Sequence, residues 1–204
     1  MESETADVVV FKCRAPLPLP APDRSVDALT DAARSQKLPA AGVTVNLSLD
    51  GAELYAYLWL REATRVEPGP LARAVALATG AAAVEAARFV RLQDIRGASH
   101  GATPEFHYVV ETDVAPEAEA DLNDWYNQEH LPGLAAVPGA IRAQRLLNLD
   151  SAPRYHSCYE LVTRETLGSA SWLAVRHTAW SDRVRPSFRN TKRTMFRRVA
   201  ERRL

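Results

Sequence analysis

One order of strand and helix signals is written twice in this chain, and that repetition limits the fold more than any single motif does. In the first half, Val8-Val-Val-Phe-Lys-Cys13 is a β-branched run that reads as a strand. Pro16 to Pro22 alternates proline with Leu and Ala, which suits neither a helix nor a central strand, so an extended loop is expected. Ser25 to Gln36 carries Val26, Leu29, Ala32 and Ala33 at helical spacing, with Asp23 or Ser25 as the cap. Gly42 to Leu49 alternates, Asp50-Gly51 turns, and Ala52 to Leu60 returns, which predicts a hairpin with a type I′ turn. Pro68 to Thr79 reads as a helix stopped by Gly80, and Arg88 to Ile95 as a closing strand.

Gly97 to Pro104 is a small-residue linker, and beyond it the order returns. Glu105 to Val114 is a strand, and Pro116 to about Gly133 a helix opened by proline and acids. Ile141–Leu149 and Tyr155–Thr163 pair as strands, Leu167 to about His177 is helical, and Lys192–Val199 closes the half. Two βαββαβ units are the ferredoxin-like α+β pattern in tandem, expected over residues 1–99 and 103–204. Each sheet covers one face with helices and leaves the other apolar enough to need a cover. Two such sheets can cover each other, which predicts an α+β barrel made inside one chain; side-by-side packing is the alternative.

Composition narrows the function classes. Of 204 residues, 25 are basic and 25 acidic, so no overall field draws the chain to nucleic acid or an anionic membrane. Cys13 and Cys158 are too few for a disulfide framework and stand beside no base, so structural thiols are expected. No apolar run reaches the roughly 20 residues of a membrane helix, and Met1-Glu-Ser-Glu4 lacks the basic start of a signal peptide, so a soluble cytoplasmic protein is expected. Charge is uneven along the chain: Glu105 to Glu129 carries eight acids and no base, Asp182 to Leu204 nine bases and two acids. A basic tail on this topology raises the RNA-recognition fold, but no strand carries its aromatic signature. Nucleic acid is not expected, and the opposite segments read as packing partners within the chain or across a homodimer.

Chemistry-bearing side chains concentrate in Asn123-Asp-Trp-Tyr-Asn-Gln-Glu-His-Leu-Pro-Gly133. On a regular helix Asn123, Tyr126, Asn127 and His130 share one face, a poor core face and a plausible pocket wall. At the helix's C-terminal turn, His130 meets a dipole that raises its pKa toward neutrality, as suits a proton shuttle. The competing expectation is that His130 caps the last carbonyls. No Gly-rich phosphate loop, nucleophile elbow or dinucleotide fingerprint appears, and the histidines show no i, i+4 metal pair. No metal and no cofactor are therefore expected.

Val114-Ala-Pro116, Leu122 to Pro132 and Val137-Pro-Gly-Ala-Ile-Arg-Ala-Gln-Arg145 together resemble the EthD-type branch of the dimeric α+β barrel superfamily. Tyr159-Glu-Leu161, Ser171-Trp172, Thr178-Ala-Trp180 and Arg185-Pro-Ser-Phe188 extend the resemblance over about residues 105–199. It implies a pocket between sheet and helices, with His130 at the position where several relatives place a pocket histidine. The first half shares only the order of elements, which implies one site per chain.

Around that pocket the expected catalytic residues are His130, Tyr126 and Arg145, and the expected substrate contacts are Asn127, Trp125, Tyr159 and Trp180, the last as a lid. Arg145 is read as pairing a carboxylate or enolate, or else a surface acid; the tryptophans as aromatic platform or as core. Haem through His130 or His177 is the alternative to a cofactor-free site, since haem-binding relatives exist among such barrels. Three functions stay open. One is a cofactor-independent isomerase, cyclase, lyase or monooxygenase on a small organic substrate. The others are a small-molecule carrier and a structural or assembly protein of the same fold.

Overall fold

The computed structural model describes residues 5–16, 18 and 20–204; Met1–Glu4 and, in the proline-rich loop, Leu17 and Leu19 lie outside the described residues. Among the described residues the eight strands follow in the expected order, with six α-helices where four were expected, because the third is split and α6 is added. They are β1 Ala6–Arg14, α1 Asp23–Ser35, β2 Ala40–Ser48, β3 Glu53–Thr64, α2 Pro68–Thr79 and β4 Glu85–Arg96. Then come β5 Phe106–Val114, α3 Glu119–Trp125, α4 Leu131–Ala135, β6 Ala140–Asn148, β7 Tyr155–Leu161, α5 Ala170–Arg176, α6 Ala179–Val184 and β8 Phe188–Arg203. Hydrogen bonding closes the strands into an antiparallel barrel ordered β1-β3-β2-β8-β5-β7-β6-β4. No helix among the described residues is long and apolar enough to cross a membrane.

Two compact units share the chain. The first takes the described residues up to Val90 together with Asn148–Ser151 and Phe196–Leu204; the second takes Arg91–Leu147 and Ala152–Met195. The two long strands β4 and β8 therefore each run through both units.

In the first unit the strand order β4-β1-β3-β2 is that of a ferredoxin-like sheet, with the end of β8 added beside β2 through pairs such as Val45↔Ala200 and Ser48↔Phe196. Alternation sorts the side chains. Val9, Phe11, Val43, Val45, Leu54, Ala56 and Leu58 meet Val26, Leu29, Leu71 and Val75 of the two helices in one aliphatic core. The opposite face is less apolar than expected, since β2 and β3 bury Thr44, Asn46, Ser48, Tyr55 and Tyr57. Asn46 accepts a hydrogen bond from Arg198 Nε at 2.8 Å.

The hairpin of β2 and β3 forms as expected but with a different turn. Gly51 has φ +72°, while Asp50 keeps a negative φ, so the type I′ geometry, which needs both positive, is absent. Gly51 N–H bonds Ser48 carbonyl at 2.8 Å, closing a type I turn followed by a left-handed glycine. Asp50 drives the choice, because its Oδ1 accepts from Ser48 Oγ and, at 3.0 Å, from Ala52 N–H. Helix α1 also departs from expectation: Pro22 occupies its N-cap with no side-chain cap, and Ser25 is buried inside it.

In the second unit β8-β5-β7-β6 repeats the order, with the end of β4 beside β6. Tyr108, Leu122, Trp125, Tyr126, Leu134, Tyr159 and Trp172 form its core, which is aromatic where the first is aliphatic. Gly97 and Gly139 fix the approach to the site. A Cβ on Gly97 would lie 2.2 Å from Ala140 carbonyl oxygen. Gly139 has φ +94° and would meet Thr166 Oγ1 at 2.3 Å, so the Pro138-Gly139 turn admits no larger residue.

Candidate functional site

The continuous helix expected over Pro116–Gly133 is broken into three pieces. A 3-10 turn (Pro116–Ala118) leads into α3, a π turn (Tyr126–His130) follows, and α4 ends the segment. Pro132 supplies the physical reason, because its ring would crowd the carbonyl four residues earlier and it has no N–H to donate. The backbone widens just before it, with Leu131 N–H bonding Tyr126 carbonyl in an i→i+5 step. On a regular helix Trp125 and His130 would stand about 140° apart. The wider turn stacks them, with ring centroids 4.0 Å apart and an interplanar angle of 20°. Tyr126 meets the same imidazole edge-on, at 5.3 Å and 86°.

These rings form one wall of a small cavity, about 30 Å³, room for one or two water molecules. Tyr108 and Val110 of β5 and Tyr159 of β7 supply its floor. Trp172 and Arg176 enter from α5, Arg185 and Phe188 from the turn after α6, and Arg193 from β8. The segment carrying Arg176 and Arg185 is latched to α3 and the π turn by two carboxylates. Asp121 accepts from Trp180 Nε1 at 2.8 Å and from Arg183 Nη2 at 2.8 Å. Glu129 accepts from Trp125 Nε1 at 3.1 Å and from Thr178 Oγ1.

Burial governs the chemistry. Desolvation, reinforced by Arg176, Arg185 and Arg145, lowers the His130 pKa to about 3, opposite to the rise expected from the helix dipole. The imidazole is neutral at pH 7, and its buried Nδ1 has no hydrogen-bond partner, so it caps no carbonyl. Burial raises the Tyr108, Tyr126 and Tyr159 phenols, which stay protonated; Arg145 and a hydrogen bond to Ser157 oppose the rise at Tyr126. Tyr159 OH is likewise buried without a partner.

The residues singled out from sequence fall in three groups. His130, Tyr126, Trp125 and Tyr159 line the cavity together. Arg145 lies behind Tyr126, 1% exposed, its guanidinium carbon 4.3 Å from the ring centroids of Tyr126 and of Tyr155. Its Nε and Nη2 have no partner, and burial lowers its pKa. Asn127 is exposed on the outer side of the π turn, and Trp180 serves the Asp121 latch outside the lining. Sequence reasoning missed Tyr108, Arg176 and Arg193 as lining residues, treated Arg185 and Phe188 only as family markers, and read Trp172 as aromatic platform or core. The strongest available signal was the alternation of β5, which places Tyr108 and Val110 on the helix-covered face.

No family model and no curated protein matches the chain. Solved structures do. A Fusobacterium nucleatum protein provisionally described as a monooxygenase superposes with a TM-score of 0.64 at 9% identity, over 96% of this chain and 93% of that one. An anthrone oxidase-like protein gives 0.56 at 14% identity, over 99% and 94%. A heme-degrading enzyme from Listeria monocytogenes gives 0.53 at 9% identity, over 93% and 98%.

The last likeness corrects the expectation of a cofactor-free site, because a fold shared with a heme-degrading enzyme does not carry cofactor independence. The residues of this cavity do not fit haem as they are packed. Sites for drug-sized ligands run to about 300–1,000 Å³, against about 30 Å³ here. At these identities the likeness speaks for architecture: the chain is a tandem ferredoxin-like α+β barrel protein, with an aromatic, arginine-rimmed cavity in its second unit.

Proposed function

We propose that the second unit acts on a small organic molecule with an acidic O–H or C–H, and that His130 is the base that accepts the proton. One observation carries this: a buried neutral imidazole with an unpartnered nitrogen, in a cavity that also offers an unpartnered tyrosine hydroxyl. Tyr126 and Tyr159, both protonated, donate to the oxygen on which charge develops. Arg145 backs Tyr126 and favours negative charge at its hydroxyl. With a pKa of about 3 the free imidazole is a weak base. An anion bound beside Arg176 and Arg185 removes two of the causes of that depression, so the base strengthens as the ligand arrives. Neighbours of this fold described as a monooxygenase and as anthrone oxidase-like support an enzyme that acts on a small organic molecule. The EthD-type resemblance supports the placement of His130.

Proton NMR in D2O tests the proposal, using phenylpyruvate, 2,4-dihydroxybenzoate and anthrone as probes of C–H exchange. At least one probe is expected to exchange faster with the native chain than with His130→Gln, by about 10²–10⁴-fold. Binding of a probe with no exchange in the native chain, or equal exchange in both proteins, overturns the proposal. Binding without exchange is the carrier's behaviour.

A further inference from the structure

The cavity mouth concentrates positive charge. Arg176, Arg185 and Arg193 reach it from three elements, and no Asp or Glu lines it. Several other arginines are paired with carboxylates at close range, as Arg88 is with Asp150 at 2.6 Å and Arg183 with Asp121 at 2.8 Å. The three at the cavity have no carboxylate within ion-pair distance among the described residues, and Arg185 Nη1 reaches only the Arg176 carbonyl, at 3.4 Å. Their repulsion is felt at Arg185, whose pKa is lowered by burial and then by Arg176 and Arg193; Asp182 and Tyr108 oppose it. Inside that rim the walls are aromatic, and His130 Nδ1 and Tyr159 OH, both more than nine-tenths buried, lack partners.

We propose that this cavity selects an aromatic dianion, a ring compound with two acidic groups such as carboxylates or phenolates, through Arg176, Arg185 and Arg193. This deepens the reading of the site as a small-molecule centre and rests on it. Planar guanidinium forks suit carboxylates, and three arginines without a paired carboxylate favour a ligand with more than one negative charge. The rings of Trp125 and Trp172 take the body of the ligand.

Isothermal titration calorimetry of the full chain with phthalate, benzoate, benzamide and inorganic phosphate tests it. Phthalate is expected to bind at least about tenfold tighter than benzoate, with benzamide and phosphate weaker still. Arg193→Gln, at an exposed position, and Arg176→Gln are each expected to weaken phthalate about tenfold and to narrow its margin over benzoate. Arg164→Gln, an exposed residue away from the cavity with the same change of charge, is the control and leaves the margin intact. Benzoate or benzamide binding as tightly as phthalate overturns the proposal, and so do Arg176 and Arg193 variants that match the control. Inorganic phosphate binding as tightly as phthalate overturns its aromatic half. His130→Gln separates the two readings. Selective phthalate binding without proton exchange refutes the base and leaves the dianion; exchange on neutral anthrone with no preference for phthalate does the reverse.

Discussion

At the scale of residues, the site is governed by the desolvation of His130. Its folded pKa of about 3 lies below the ordinary 6.5, so between those values the unfolded chain binds a proton that the folded chain refuses. Stability therefore falls as pH drops from 6.5 toward 3, by up to about 1.4 kcal/mol per pH unit from this residue. Urea unfolding at pH 7.0 and pH 4.5 checks it: the native chain is expected to lose about 2–3 kcal/mol more than His130→Gln over that interval, and equal losses would refute the assignment. The segment was legible but its electrostatics were not: Asn123, Tyr126, Asn127 and His130 on one helical face read as a poor core face, while the pKa of His130 was expected to rise and instead falls. What could not be read was the pairing of Trp125 with His130, since a 3.6-residue period separates them and a π turn unites them. The three arginines were hidden for another reason: Arg185 and Arg193 sit among many others in a basic tail and Arg176 in the helix before it, and an unpaired guanidinium looks like a paired one until its neighbours are known.

Elements set access to the site. A dry apolar cavity of about 150 Å³ is needed for a single aromatic ring, several times the space present, so the wall must yield when a ligand enters. The part of the wall with side-chain latches is the stretch around α6, held by Asp121 and Glu129. Asp121→Asn, which removes the charge that Arg183 and Trp180 share, is expected to speed amide hydrogen exchange over 178–187 while leaving β5 and β7 protected. Mass-spectrometric exchange mapping reads this directly, and an unchanged pattern would show that the latch does not restrain the segment. Strand and helix positions were legible because apolar alternation is local. The turn at Asp50-Gly51 was not, because Asp50 and Ser48 side chains satisfy the turn's donors in a way that the Asp-Gly pair does not announce. The break at Tyr126–His130 had one visible cause, Pro132, whose effect reaches backward along the chain.

At the scale of the molecule, the tandem order of elements made the barrel legible, but not the length of its closing strands. Lys192–Val199 was expected as the last strand, and β8 runs from Phe188 to Arg203. The strand matters because its far half completes the first unit, burying Phe196 against Tyr55 with ring centroids 4.6 Å apart. Truncation after Met195 is therefore expected to destabilise the first unit by more than about 3 kcal/mol, the cost of removing one buried phenylalanine side chain. Thermal melting followed by circular dichroism checks it, and a melting temperature within a few degrees of the native chain's would refute it. The same arrangement has a consequence in time. Asn46 and its partner Arg198 are 152 residues apart in the chain, so β2 leaves the ribosome on the order of ten seconds before the segment that pairs with it is made, at about 5–20 residues per second. Throughout that interval the nascent chain carries an open strand edge, and on a crowded polysome the nearest complementary strand belongs to a neighbouring copy. During synthesis the β2 edge therefore stays unpaired until the strand that covers it has been made.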